Sequence, residues 1–107
     1  MINIKLENFT KAELACKCCA ESKTSNKALI LLQALRYMCG FPIRVTSAFR
    51  CKKYNKKMGV SKSSHVLGTG FDIKVKKLEK NLFVKNALNL GFSVGIYDKH
   101  THIDMRR

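Results

Sequence analysis

The stretch FDIKVKKLEKNLFVKNALNLGFSVGIYDKHTHIDM, residues 71 to 105, decides the fold, because its apolar spacing changes from strand to helix and back. Phe71, Ile73 and Val75 alternate with Asp72, Lys74 and Lys76, which predicts a strand with Asp72 on the face opposite the apolar side chains. From about Leu78 to Leu90 the spacing becomes helical, with Leu82, Phe83, Ala87 and Leu90 inward and Gly91 as the stop. Two more strands follow, near Phe92 to Tyr97 and Thr101 to Met105, joined by a charged turn at Asp98-Lys99.

Working back from this stretch, residues Ser61 to Gly70 are too rich in Ser and Gly to be regular and read as a loop. A short helix is expected before it, from Lys52 to Met58, stopped by Gly59. Ile43-Arg44-Val45-Thr46 alternates as a strand after Pro42 and ends at Ser47. The segment NKALILLQALRYMCG predicts the main core helix, with Asn26 as N-cap, an apolar face of Leu29, Leu32, Leu35 and Met38, and Gly40 as the stop. Thr10 and Glu13 have capping-box spacing behind Phe9, so a short helix is expected from Lys11 to Cys16. Helices and strands without regular βαβ alternation predict an α+β fold, a small largely antiparallel sheet with helices packed on it. Nothing divides residues 1 to 107, so one domain is expected.

Twenty-one Lys and Arg against seven Asp and Glu give a net charge of +14, which draws polyanions before any specific contact forms. The basic residues are scattered as pairs (Lys52-Lys53, Lys56-Lys57, Lys76-Lys77), which predicts a positive face and not a disordered arm. Nucleic acid, anionic membrane and anionic cell wall are all attracted by such a charge. The opening MINIKLENFTKAEL lacks the apolar core of a secretory signal, and no run reaches the roughly 18 apolar residues of a membrane span. Synthesis in the cytoplasm, no transmembrane segment and a monomer are expected.

All three histidines and all three aspartates lie between residues 65 and 104, and five of these six fall in two short patterns. One is His65 followed by Asp72; the other is His100-Thr101-His102-Ile103-Asp104. On a strand His100, His102 and Asp104 share one side. Asp72 on its polar strand face and His65 at the loop end then complete a site of two nitrogens and one oxygen. Three protein ligands with an open position is the arrangement of catalytic zinc, whereas structural zinc is closed by four. Each histidine taken singly is more often a surface or hydrogen-bonded residue; the two patterns together favour a metal.

SAFRCKKYN, SSHVLGTGFDIKV and GIYDKHTHIDMR together resemble the D-alanyl-D-alanine metallopeptidases, peptidase family M15. The family's SxHxxGxAxD motif reads as Ser63 through Asp72, with Gly70 in the Ala position. The resemblance spans roughly residues 9 to 106 and implies a hedgehog/DD-peptidase-like fold with His65, Asp72 and His102 as zinc ligands. It places Arg50, of SAFR, where an arginine contacts substrate or the developing oxyanion, and sets Ser63 to hydrogen-bond the site or substrate. Many family members carry Glu or Asp three residues before the last histidine ligand. Lys99 stands there in this chain, which leaves His100 and Asp98 as the candidate general bases. Other members use the first histidine of an HxH pair, and the shared strand face favours His100. Asp104 is left as a residue that orients a histidine or pairs with Arg106 or Arg107.

Five cysteines make an odd number. Cys16, Cys18 and Cys19, with Cys51 and Cys39, invite reading as a structural metal site, but C-x-C-C is not the usual zinc spacing. Free thiols are the alternative, and a Cys16–Cys51 or Cys18–Cys51 link would tie the N-terminal turn to the helix after SAFR.

The resemblance and the charge together imply a zinc hydrolase of peptidoglycan stem peptides, an L-Ala-D-Glu endopeptidase or D-Ala-D-Ala carboxypeptidase of endolysin type. Such an enzyme acts on the wall after release from the cytoplasm, and its charge holds it on the anionic wall or envelope. Two other readings stand beside it. A basic nucleic-acid-binding protein with structural zinc explains the charge but not the gathering of His and Asp, and no helix-turn-helix or RNP-like pattern supports it. A hedgehog-like domain that keeps zinc without catalysis is compatible with Lys99.

Overall fold

A computed structural model describes residues 9–57, 65 and 67–105. Among them, helix α1 spans Lys11–Leu14, α2 Asn26–Cys39, α3 Lys52–Lys57 and α4 Lys80–Asn89, with a 3-10 turn at Lys77–Glu79 leading into α4. Strands β1 (Arg44–Ser47), β2 (Gly70–Lys74), β3 (Ser93–Ile96) and β4 (Thr101–Asp104) form one antiparallel sheet in the order β1-β2-β4-β3. This is the α+β arrangement expected from the pattern.

Local signals start and stop the elements. Thr10 and Glu13 form the full capping box, with Phe9 buried behind it. Helix α1 ends at Leu14, two residues short of the expectation, because the chain turns at Cys16, whose amide donates to Glu21 O at 2.7 Å. The N-cap of α2 is Ser25 and not Asn26: the Ser25 hydroxyl accepts from the Ala28 amide at 3.0 Å. Gly40 and Gly91 close α2 and α4 with φ of +70° and +94°, a conformation in which a β-carbon is strained.

Phe71, Ile73 and Ile103 project from the sheet into a core with Leu32, Leu35, Phe83 and Ala87 of the helices. Fully burying one such side chain contributes about 1.5–3 kcal/mol. Two inward assignments need correction. Met38 and Leu82 are 46% and 48% exposed, and their places in the helix–sheet seam belong to Cys39 and, on α4, to Asn86 beside Phe83 and Ala87. The substituents are small enough for α2 and α4 to approach, and Asn86 Nδ2 donates to Cys39 Sγ at 3.5 Å between them.

The register positions the site. Ser47 pairs with Asp72, Asp72 with His102, and His102 with Gly95, so one row of residues crosses all four strands. An irregularity between Val45 and Ser47 puts Thr46 out of step, and its hydroxyl donates to Asp72 O at 3.2 Å. Without that bulge Ser47 would not stand opposite Asp72. The expected end of α3 at Met58 and Gly59 lies outside the described residues, as does Ser63.

Candidate metal centre

Asp72 is the hub of the polar sheet face and is 8% exposed. Its Oδ1 lies 3.2 Å from His65 Nε2, 2.9 Å from His102 Nδ1 and 3.7 Å from His100 Nε2. Its other oxygen, Oδ2, accepts from Arg50 Nη2 at 3.2 Å, and Arg50 Nε donates to Ser47 Oγ at 3.1 Å. Of the residues singled out in the sequence, the fold therefore brings His65, Asp72, His100, His102 and Arg50 together. Asp98 is exposed in the β3–β4 turn, beside a cleft that His100 also lines.

The outer nitrogens of two histidines are tied down by acceptors. The Ala48 carbonyl lies 2.6 Å from His65 Nδ1 and can only accept, so Nδ1 carries the proton and Nε2 presents its lone pair to Asp72 when the ring is neutral. Asp104, 1% exposed, lies 2.8 Å from His102 Nε2 and fixes that ring the same way, with Nδ1 turned to Asp72. Three electron-pair donors thus converge, with His65 Nε2 and His102 Nδ1 at 3.2 and 2.9 Å from Asp72 Oδ1, and the three residues each offer a ligand atom within 4.8 Å of the others. Only protons or a cation reconcile such a meeting. The donor set of two imidazole nitrogens and one carboxylate oxygen, backed by a carbonyl and a second carboxylate, fits zinc.

Burial by itself would raise the Asp72 carboxyl, but hydrogen bonds from His102 and His65 and the charges of His65 and His100 hold it far below the usual carboxylate range. Burial would likewise lower His102, yet its bonds to Asp72 and Asp104 win and raise it. In metal-free protein the depressed Asp72 contributes stability above its unfolded pKa of about 3.9, lost as pH falls. The raised His102 contributes stability below its unfolded pKa of about 6.5, lost as pH rises through the folded value. The thermal midpoint of chelator-treated protein should therefore peak between about pH 4 and 6.5 and fall toward pH 8. A midpoint that climbs from pH 6 to 8 would contradict this account of His102.

Several positioning features escaped the sequence reading. Gly68, at φ +73°, donates to His65 O at 3.2 Å and accepts from the Ser25 amide at 2.8 Å; a β-carbon there would collide with the Lys23 carbonyl. The Tyr97 ring stacks on His100 with centroids 4.9 Å apart and planes 19° from parallel. Gly95 leaves room for that ring: a β-carbon on it would stand 3.3 Å from Tyr97 Cε2. The only available hints were an aromatic residue before the turn and glycines in a loop and a strand, which are too common to single out.

Residues 7–104 match a family model described as Peptidase M15. No curated protein matches the chain.

Proposed function

Since the chain belongs to the peptidase M15 family and is a metallopeptidase by that membership, we propose that it is a zinc-dependent hydrolase of peptidoglycan stem peptides. The observation that carries this reading is the convergence of His65 Nε2, Asp72 Oδ1 and His102 Nδ1, with both outer histidine nitrogens already committed. Bound there, zinc supplies a Lewis acid that polarises the scissile carbonyl and acidifies water.

The chain's own residues do the rest. Ala48 and Asp104 hold the two ligand histidines in the tautomer that offers a lone pair, and Arg50 orients Asp72 through its second oxygen. His100, stacked on Tyr97 and 3.7 Å from Asp72, takes a proton from the attacking water at Nε2 and returns it to the leaving amine. Arg50 has donors beyond those on Asp72 and Ser47, and these suit an oxyanion or a substrate carboxylate. Ser63 is assigned a substrate hydrogen bond by its motif position alone.

Charge supports the proposed substrate class. A cleft of about 350 Å3 beside His100 is lined by Lys74, Lys77, Lys80 and Lys99, with Asp98 among them. Stem peptides carry free carboxylates, and the excess of +14 favours both them and the anionic wall that bears them. No helix among the described residues is long and apolar enough to cross a membrane. An endolysin-type role, with synthesis in the cytoplasm and action on the wall after release, fits this charge.

Digestion of purified peptidoglycan tests the reading. Zinc-loaded protein should release new amino termini or D-Ala, a chelator should stop the release, and added zinc should restore it. Folded, zinc-loaded protein that releases nothing and instead binds DNA in a salt-sensitive way would overturn it in favour of a nucleic-acid protein.

A further inference from the structure

The centre above uses none of the five cysteines. Cys39 is accounted for by packing, buried against Asn86 between α2 and α4. The other four come from the turn after α1, which carries Cys16, Cys18 and Cys19, and from the segment after β1, which carries Cys51. The Cys16, Cys19 and Cys51 sulfurs all lie within 4.8 Å of one another, and the Cys18 thiol interacts with that of Cys51. Residues separated by more than thirty positions are brought together here: Cys51 N donates to Cys16 Sγ at 3.4 Å, across a sequence separation of 35.

The turn that presents them is built for sulfur. Cys16 and Cys19 stand in C-x2-C spacing, with Cys18 inside the pair, so the cluster contains the usual zinc spacing after all. Ala20 donates to Cys16 O at 2.8 Å and takes φ +61°, the one positive φ at a non-glycine among the described residues. That costs strain at an alanine and folds the chain back over its own sulfur. The Cys51 amide donates to Cys16 Sγ and the Tyr54 amide donates to Cys51 Sγ, each at 3.4 Å. Amide donors on sulfur favour the thiolate, the form in which cysteine binds a metal.

We propose that Cys16, Cys19 and Cys51, with Cys18 as the fourth thiolate, form a second, structural site for a thiophilic divalent cation such as zinc. Four protein thiolates close the coordination shell, so this site binds no substrate. Its effect is mechanical. Cys51 directly follows Arg50, and Phe49 N donates to Leu14 O at 3.4 Å, so a metal here clamps the N-terminal turn to the segment that aims Arg50 at Asp72. Lys53 lies close enough to act on Cys18 and offsets part of the negative charge of the loaded cluster.

Cobalt(II) titration of fully reduced, metal-free protein distinguishes the two sites, because only thiolate ligands give an intense near-ultraviolet sulfur-to-cobalt charge-transfer band. The wild-type protein should show the band, and His102→Ala and Cys39→Ala should keep it. Cys51→Ser should lose it and bind one zinc fewer than wild type. If Cys51→Ser does not fold, Cys19→Ser at the exposed position serves instead, and its band should be weakened or absent. No band in the reduced wild-type protein, or an undiminished band in Cys51→Ser or Cys19→Ser, overturns the proposal. So does a disulfide between two of the four cysteines in protein prepared without oxygen. Retention of the band in His102→Ala keeps this result separate from the fate of the peptidase reading.

Discussion

If the proposed zinc peptidase reading holds, Asp72→Asn is expected to lower stem-peptide hydrolysis by about a thousandfold or more and to prevent zinc binding at His65 and His102. The metal's Lewis acidity is worth several kcal/mol in the transition state, and each 1.36 kcal/mol is about tenfold in rate. Asn keeps the shape and one acceptor oxygen but not the charge that makes Oδ1 a ligand. A second cost arises at the other oxygen. The Arg50 and Asp72 side chains are only 10% and 11% exposed, so removal of the carboxylate leaves a guanidinium without its counter-charge. Breaking a buried pair in this way costs about 3–5 kcal/mol, and the amide oxygen, which still accepts, keeps the loss near the lower end. Metal analysis, a peptidoglycan digest and a denaturant melt read the three effects separately. An Asp72→Asn protein that still holds its full zinc and turns over at the wild-type rate would remove Asp72 from the centre.

His100→Ala carries the next largest effect. Loss of a general base typically costs about 10²- to 10⁴-fold in kcat, and here the metal content should stay unchanged because His100 stands outside the converging triad. Asp98→Ala should change kcat by less than about fivefold, since Asp98 is exposed in the turn while His100 Nε2 is the group that reaches Asp72. Comparison of muropeptides by mass spectrometry after digestion reads both variants and identifies the bond cut. Full turnover by His100→Ala beside a dead Asp98→Ala would transfer the base to Asp98. The position usually acidic in the family holds Lys99, one residue from either candidate. That makes this comparison the decisive one for catalysis as opposed to metal binding alone.

Much of the fold was legible because its signals are local. The capping box at Thr10 and Glu13, the glycines after α2 and α4, and the period-two alternation of β2 and β4 act through neighbours a few residues away. The alternation also put His100, His102 and Asp104 on one strand face and Asp72 on the polar face of another, so the sequence by itself determined which residues belong to the polar side of an antiparallel α+β sheet. Which residue seals a helix–sheet seam depends on volumes contributed from elsewhere in the chain, and there Met38 and Leu82 yield to Cys39 and Asn86.

Tertiary structure alone decided the rest, and the reason in each case is a contact across long sequence separation. The bulge in β1 sets Ser47 opposite Asp72, and the β2–β4 register then sets His102 beside it. The tautomer of His65 is fixed by Ala48, 17 residues away. Arg50 proves to be a partner of Asp72 in this structure as well as a candidate for substrate, which periodicity has no means to express. The cysteines make the same point most plainly: C-x-C-C argued against a metal when read along the chain, and Cys51 beside Cys16 and Cys19 argues for one when read in space. Sequence pattern records the faces of elements, whereas coordination and charge pairing depend on where those faces meet.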